Sequence, residues 1–526
     1  MIKLTKIKIA VYLLLAAVVV LSFLYWPSAI SIDRPAKIAE TAVQIRPDYT
    51  NVTIPANIAP LNFTIEKQAE SYHVKIHSQF GQPVEIHSKN NKIDIPQKKW
   101  HQLLSKNIGN DLYFDITVTE KDCSLKYPTI TNKISADNID RYLFYRRHHP
   151  THYLYNGKVG IYQYDLENNK ETCVLDSYSF DTTGCVNCHT FCTGKSNPMT
   201  LAVRSRQHGS SMLLIKDGIA KKIATKITYT AWHPSGKLLA FSANDVRQFF
   251  HSANNEVRDA VDMDSMMAYY LVDSNKIKTT EALSAKDVLE TYPTWSPDGK
   301  YLYFCKAPLT WKTDADIPPD GFENIKYDLV RISYDISNDQ WGQTETIISA
   351  KDNSSSNLLP RISPDGRWLL YCQCSYGCFP AFRKSSDLYL LDLTEPKVDG
   401  KYQPRKLDIN SDESDAYHSF SSNSRWIVFS SKRGKGPFTR PYICNIDQQA
   451  NAAKPFILPQ KDSAFLDNCL DTYTVPELAV EPVTIKANAL AKVILSAKNL
   501  NVDIPISMAT PKAAGDKKEE YLKVQE

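Results

Sequence analysis

The 526-residue sequence predicts an all-β fold, most economically a β-propeller, on three observations. One block recurs: YTAWHPSGKLLAF from Tyr229, ETYPTWSPDGKYLYF from Glu290, LPRISPDGRWLLY from Leu359 and YHSFSSNSRWIVF from Tyr417. The turns fall roughly sixty residues apart, the regularity of one supersecondary unit used several times. Each block is followed by a second hairpin segment, clearest at Tyr327 to Tyr334 and Asp387 to Leu393, and two hairpins make a four-stranded blade. An ordinary β-sandwich would have to repeat the order aromatic, turn, basic residue and apolar strand by chance.

Taken in order, the chain opens with an uncharged run of 18 residues, Ile9 to Trp26, preceded by Lys3, Lys6 and Lys8. That length and the terminal Tyr25-Trp26 suit an uncleaved membrane anchor over residues 1–30, with the bulk exported to the periplasmic side of the inner membrane. A cleaved signal peptide is the rival reading. Residues 45–125 alternate with period two, at Val74 and Ile76, Val84 and Ile86, Ile93 and Ile95, and Leu112 to Val118, which predicts a small β-sandwich domain. The propeller is expected over 138–480. Its first piece, Val159 to Leu166, lacks a leading hairpin, so strands near Tyr473 to Val480 are expected to close the ring and remove two open sheet edges. Residues 481–526 predict a C-terminal helix, within Thr484 to Lys498, and a charged tail.

Within the first blocks, Asp298-Gly299 makes a reversal cheap, because glycine reaches positive φ without a Cβ clash. Trp232, Trp295 and Trp426 are expected as core wedges. His233, His418, Arg361, Arg433 and Arg440 are expected in turns and interblade hydrogen bonds. The chain carries 62 Lys and Arg against 58 Asp and Glu, so it lacks the basic footprint of a nucleic-acid binder. There is no Gly-x-Ser-x-Gly elbow, and an enzyme is not expected.

One motif carries chemistry. Cys185-Val186-Asn187-Cys188-His189 has the Cys-x-x-Cys-His form of covalent haem attachment, in which two thiols reach the vinyl groups and the histidine ligates iron. The predicted cofactor is haem c, bound by Cys185 and Cys188, with His189 as metal ligand; Met199, His208, His148, His149 and His152 are candidates for the distal position. By register the motif falls on a strand lining the propeller axis. The alternative is structural: Cys185, Cys188 and Cys192 supply a disulfide in an oxidising compartment. Cys372, Cys374 and Cys378 invite a metal reading, although Cys372 aligns with Cys305, Ser242 and Ser430 at a small-residue position. With 11 cysteines, one is left over in any full pairing.

WHPSGK, WSPDGK and SPDGR resemble TolB-type (WD40-like) propeller repeats, and the broader order is similar to membrane-anchored exported propellers of Gram-negative bacteria. The resemblance covers Val159 to Gln163, Cys185 to Phe191, Tyr229 to Asn244, Thr291 to Phe304, Pro360 to Gly366, Thr439 to Tyr442 and Lys454 to Gln460. Members are often labelled TolB-like or cytochrome c biosynthesis proteins. The resemblance implies a TolB-like β-propeller of about six blades, with envelope or respiratory-chain proteins as partners. Two functions follow as expectations: electron transfer or cytochrome c assembly through haem, or a protein-interaction scaffold with structural cysteines. Ile362 in place of the repeat tryptophan, and Ser422-Asn423-Ser424 in place of Pro-Asp-Gly, depart from the pattern.

Overall fold

The computed structural model describes residues 36–500, except 122, 151–156, 252–257, 313–314, 435 and 498. The expected anchor at 1–30, the charged tail beyond 500 and His152 lie outside the described residues. Among the described residues no helix is long and apolar enough to cross a membrane.

Six four-stranded antiparallel sheets account for most of the chain. Their innermost strands are Thr472–Ala479, Cys185–Cys192, Tyr229–Trp232, Val288–Trp295, Ser356–Ile362 and Asp415–Phe420. Each packs against the next in that order, and Asp415–Phe420 packs back on Thr472–Ala479, giving a propeller-like ring. In the first blade Tyr142–His148 pairs with Val159–Asp165 on one side and with Thr472–Ala479 on the other. One C-terminal strand therefore completes a blade whose other strands come from the N-terminal side, so no inner edge is left unpaired.

The repeated turn has the same hydrogen bond in every block. The N–H groups of Gly236, Gly299, Gly366 and Ser424 donate to the carbonyls of His233, Ser296, Ser363 and Ser421, at 2.8–2.9 Å. The last residue of each turn lies in the left-handed region, with φ of 67°, 72°, 78° and 60° respectively. Ser424 thus keeps the turn where its glycine is missing. Five of the six innermost strands also bulge. Tyr292, Leu359, Tyr417 and Val475 sit at φ of 50–56°, left-handed for bulky residues, at the same place in their strands. Strand Cys185–Cys192 breaks register at the equivalent place, between Val186 and His189.

The N-terminal unit holds a seven-stranded sheet, including Ser71–His77, Val84–Ser88 and Asp111–Thr119, and a three-stranded sheet. It also holds a helix the alternation did not predict, Gln97–Lys106, which buries Trp100, Leu103 and Leu104. This unit shares one apolar core with the closing seam, where Leu61, Phe63 and Trp100 join Trp426, Ile443, Phe456 and Tyr473. The Asn62 side-chain amide donates to the Lys461 carbonyl at 2.9 Å. At the other end, helix Ala487–Leu495 packs Leu490, Ala491 and Ile494 among Val174, Leu175 and Ile215 of the first two blades. Lys222 Nζ donates to the Ile494 and Ser496 carbonyls at 2.8 Å, covering orphan acceptors at that helix end.

Candidate functional site

Bulges in five of the six innermost strands turn neighbouring residues to the axis: Asn187-Cys188 of the second blade takes the register of Tyr292-Pro293, Leu359-Pro360, Tyr417-His418 and Val475-Pro476, and His189 that of Thr294, Arg361, Ser419 and Glu477. Together these strands line an inner chamber of about 30 Å³. The expectation that the Cys-x-x-Cys-His motif lies on an axial strand agrees with this placement.

Four chemically active groups face the chamber: His189, His418, Glu477 and Arg361. His189 is 2 % exposed, and neither ring nitrogen has a hydrogen-bond partner. Its Nε2 lies 3.7 Å from Glu477 Oε2. Burial, helped by Arg361, drives the imidazole down to about 3, so it is neutral at physiological pH. Burial also pushes the Glu477 carboxyl up to about 7, against the pull of Arg361. His418 Nε2 lies 3.0 Å from the Leu370 carbonyl, and His233 Nε2 lies 3.1 Å from the Gly299 carbonyl, both of them interblade contacts. Arg433 pairs with Asp415 at 2.8 Å, and buried Arg440 donates to the Leu466, Cys469 and Asp471 carbonyls.

The donors for haem c are present, and the space is not. The chamber at His189 has room for a water molecule or two. The rings of Phe144 and Phe191 stand 6.1 and 5.6 Å from the imidazole, and Thr190 Oγ1 bonds Thr230 Oγ1 at 2.6 Å beside it. A porphyrin does not fit against His189 in this structure. Nor does His189 belong to any group of three or more metal-ligating side chains among the described residues. Met199 is fully buried opposite Phe191, His208 lies in the turn after Ser205, and His148 Nδ1–H donates to the His149 carbonyl. All 11 cysteines are free thiols, so the disulfide alternative is not formed either. Cys372, Cys374 and Cys378 are buried and do not converge as metal ligands. Burial pushes the Cys188 thiol up although Arg146, Arg361 and Arg204 pull it down, so it is not poised as a thiolate nucleophile.

Cys188, Tyr229, Tyr417 and Val475 form a neck between the chamber and a wider funnel of about 110 Å³. The funnel lining includes Arg146, Arg204, Arg258 and Lys432, with His148 and Phe382, and among the described residues it contains no carboxylate. Arg146 Nε donates to the Val186 carbonyl at 3.0 Å, which ties the motif strand to the funnel wall. Arg258 and Lys432 lie 4.8 and 5.7 Å from the Phe382 ring, close enough for cation–π attraction. Arg204 has no ion-pair partner among the described residues. These cations come from four different blades, and nothing local in the sequence groups them.

The chain matches no protein-family model and no curated protein sequence. Among solved structures it is similar to prolyl oligopeptidase B from Galerina marginata, at 12 % identity over 66 % of this chain and 42 % of that one, TM-score 0.33. It is also similar to the β-propeller domain of the Trilobed protease from Pyrococcus furiosus, at 11 % identity over 64 % and 80 %, TM-score 0.31. A third is a putative 6-phosphogluconolactonase from Bacteroides uniformis, at 11 % identity over 77 % and 100 %, TM-score 0.33. The chain therefore spans under half the length of the prolyl oligopeptidase it resembles. At these scores the ring rests on this chain's own strand pairing. Peptidases recur among these structures, and at such identities and scores they assign no activity to this chain. None carries the TolB or cytochrome c label.

Proposed function

We propose that this chain is a non-enzymatic TolB-like β-propeller of six blades, held at the periplasmic face of the inner membrane by residues 1–30, whose axial funnel binds an anionic group of a partner envelope protein. The observation that carries the reading is the funnel wall: four cations and several aromatic rings converge there with no carboxylate among the described residues. A wall of like charge favours an entering anion, and Arg204 has no ion-pair partner among the described residues to compete with it. A volume of about 110 Å³ suits an acidic side chain or a chain terminus rather than a whole cofactor. In this reading Cys185, Cys188 and His189 build the neck and chamber.

The rival reading is a haem c carrier serving electron transfer or cytochrome c assembly in a respiratory-chain complex. In its favour are the complete motif and the two imidazole nitrogens of His189 left without partners. Against it stands the closed packing around that ring. One preparation tests both. The full chain, co-expressed with a periplasmic haem-maturation system, is purified in detergent and titrated calorimetrically with a pentaglutamate peptide. Saturable binding that weakens about tenfold in Arg204→Gln and falls at high salt is expected, together with a colourless denatured polypeptide. Absence of binding overturns the funnel reading; a haem stain surviving denaturation establishes the rival.

A further inference from the structure

Far from the axis, a second cluster of side chains has the composition of a metal site. In the N-terminal unit, strands Ser71–His77 and Val84–Ser88 pair antiparallel with His73 opposite His87 and Lys75 opposite Glu85. Side chains two residues apart share a sheet face, so His73, His87 and Glu85 project together from the side opposite the core residues Tyr72, Val74 and Ile76. The two imidazoles stack, with centroids 4.3 Å apart and planes 5° off parallel. Ligand atoms of all three residues lie within 4.8 Å of one another. His73 Nε2 is buried without a hydrogen-bond partner, 4.0 Å from Glu85 Oε2 and thus beyond bonding distance.

We propose that His73, Glu85 and His87 form a binding site for a divalent transition-metal ion of zinc's class. The donor set decides the class: two imidazoles and one carboxylate suit borderline cations such as Zn²⁺ or Cu²⁺, whereas Ca²⁺ and Mg²⁺ require more oxygen ligands than the hairpin offers. Bonds of roughly 2.0–2.2 Å place the ion in the plane of each ligating ring, so on loading the stacked imidazoles tilt out of parallel to converge on it with Glu85, and water completes a tetrahedron. Two features favour loading. The sheet backbone fixes the spacing of the two histidines in advance, which spares most of the ordering entropy. The half-exposed position leaves the ion a path from solvent. Lys75 opposes the charge of the ion, so Lys75→Gln is expected to tighten the site.

The experiment is titration of the full-length, metal-stripped protein with ZnCl₂ by calorimetry, repeated with CoCl₂ and visible absorption. One ion per chain is expected, with weak d–d bands and no strong thiolate-to-cobalt band, since 11 free thiols are the competing ligands. His87→Ala and, independently, Glu85→Gln are expected to weaken zinc binding by tenfold or more, with the far-UV circular dichroism unchanged because both side chains are exposed. Zinc affinity equal in wild type and both variants, a thiolate charge-transfer band, or no saturable binding each overturns the proposal.

Discussion

Gly299 and Gly366 occupy the same position of the same turn, and they differ in what a side chain would meet. A Cβ on Gly299 would lie 2.3 Å from His233 Nε2, the atom that bonds the Gly299 carbonyl from the preceding blade. A Cβ on Gly366 meets nothing within 4 Å. Both glycines have positive φ, so either alanine carries a backbone penalty of about 1 kcal/mol. Gly299→Ala must in addition displace the imidazole and break an interblade bond, for a total of roughly 2–4 kcal/mol. Urea melts of the two variants are expected to separate by that difference, and equal losses would contradict the role given to His233. Ser424 shows how one turn tolerates the penalty: its Oγ accepts the Asp365 N–H at 3.1 Å, a contact glycine cannot make. That compensation was not legible in the sequence, where Ser422-Asn423-Ser424 reads only as a lapse from the repeat.

At the scale of elements, what is local was legible and what is assembled was not. The four inner hairpins follow from aromatic-turn-aromatic blocks, because turn chemistry and alternation act over a few residues. The closing strand followed from a physical demand, since an unpaired inner edge is costly. Helix Gln97–Lys106 went unread although Trp100, Leu103 and Leu104 carry its spacing, because it is short and sits among strands of clear period two. Cys188 and His189 were legible as axial residues through repeat register. Their enclosure was not, since it depends on Phe144, Phe191 and Glu477, drawn from three separate stretches of chain. The ring's dependence on its C-terminal strand gives a prediction. A chain ending at residue 470 lacks Thr472–Ala479 and the helix after it. It exposes the inner edge of Tyr142–His148 and removes Tyr473 and Leu478 from the shared core. Loss of a cooperative denaturant transition, or aggregation, is expected on size-exclusion chromatography, and an unchanged midpoint would argue against a closed ring.

For the molecule as a whole, a few buried titratable groups set how stability follows pH. His189 and His418 both fall to about 3 in the fold, chiefly through burial, from an ordinary 6.5. Below pH 6.5 the unfolded chain takes up protons that the folded chain refuses, so these two make stability rise with pH from about 3 to 6.5. Glu477 and Asp262 behave oppositely. Burial raises both to about 7 from 4.5 and 3.8, so the folded chain keeps protons the unfolded chain has released, and stability falls as pH climbs to about 7. Between pH 4.5 and 6.5 the two pairs offset each other; above 6.5 only the acids act, and the curve declines to about 7. Glu477→Gln removes one acid while keeping shape and hydrogen-bonding capacity at the chamber wall. The stability of that variant relative to wild type is therefore expected to grow across pH 4.5–7 by roughly 1–3 kcal/mol and then level off. Urea midpoints measured at half-unit steps of pH would give the curve directly. A difference that is flat, or that shrinks as pH rises, would mean that Glu477 is already ionised in the fold and that His189 faces a charged carboxylate.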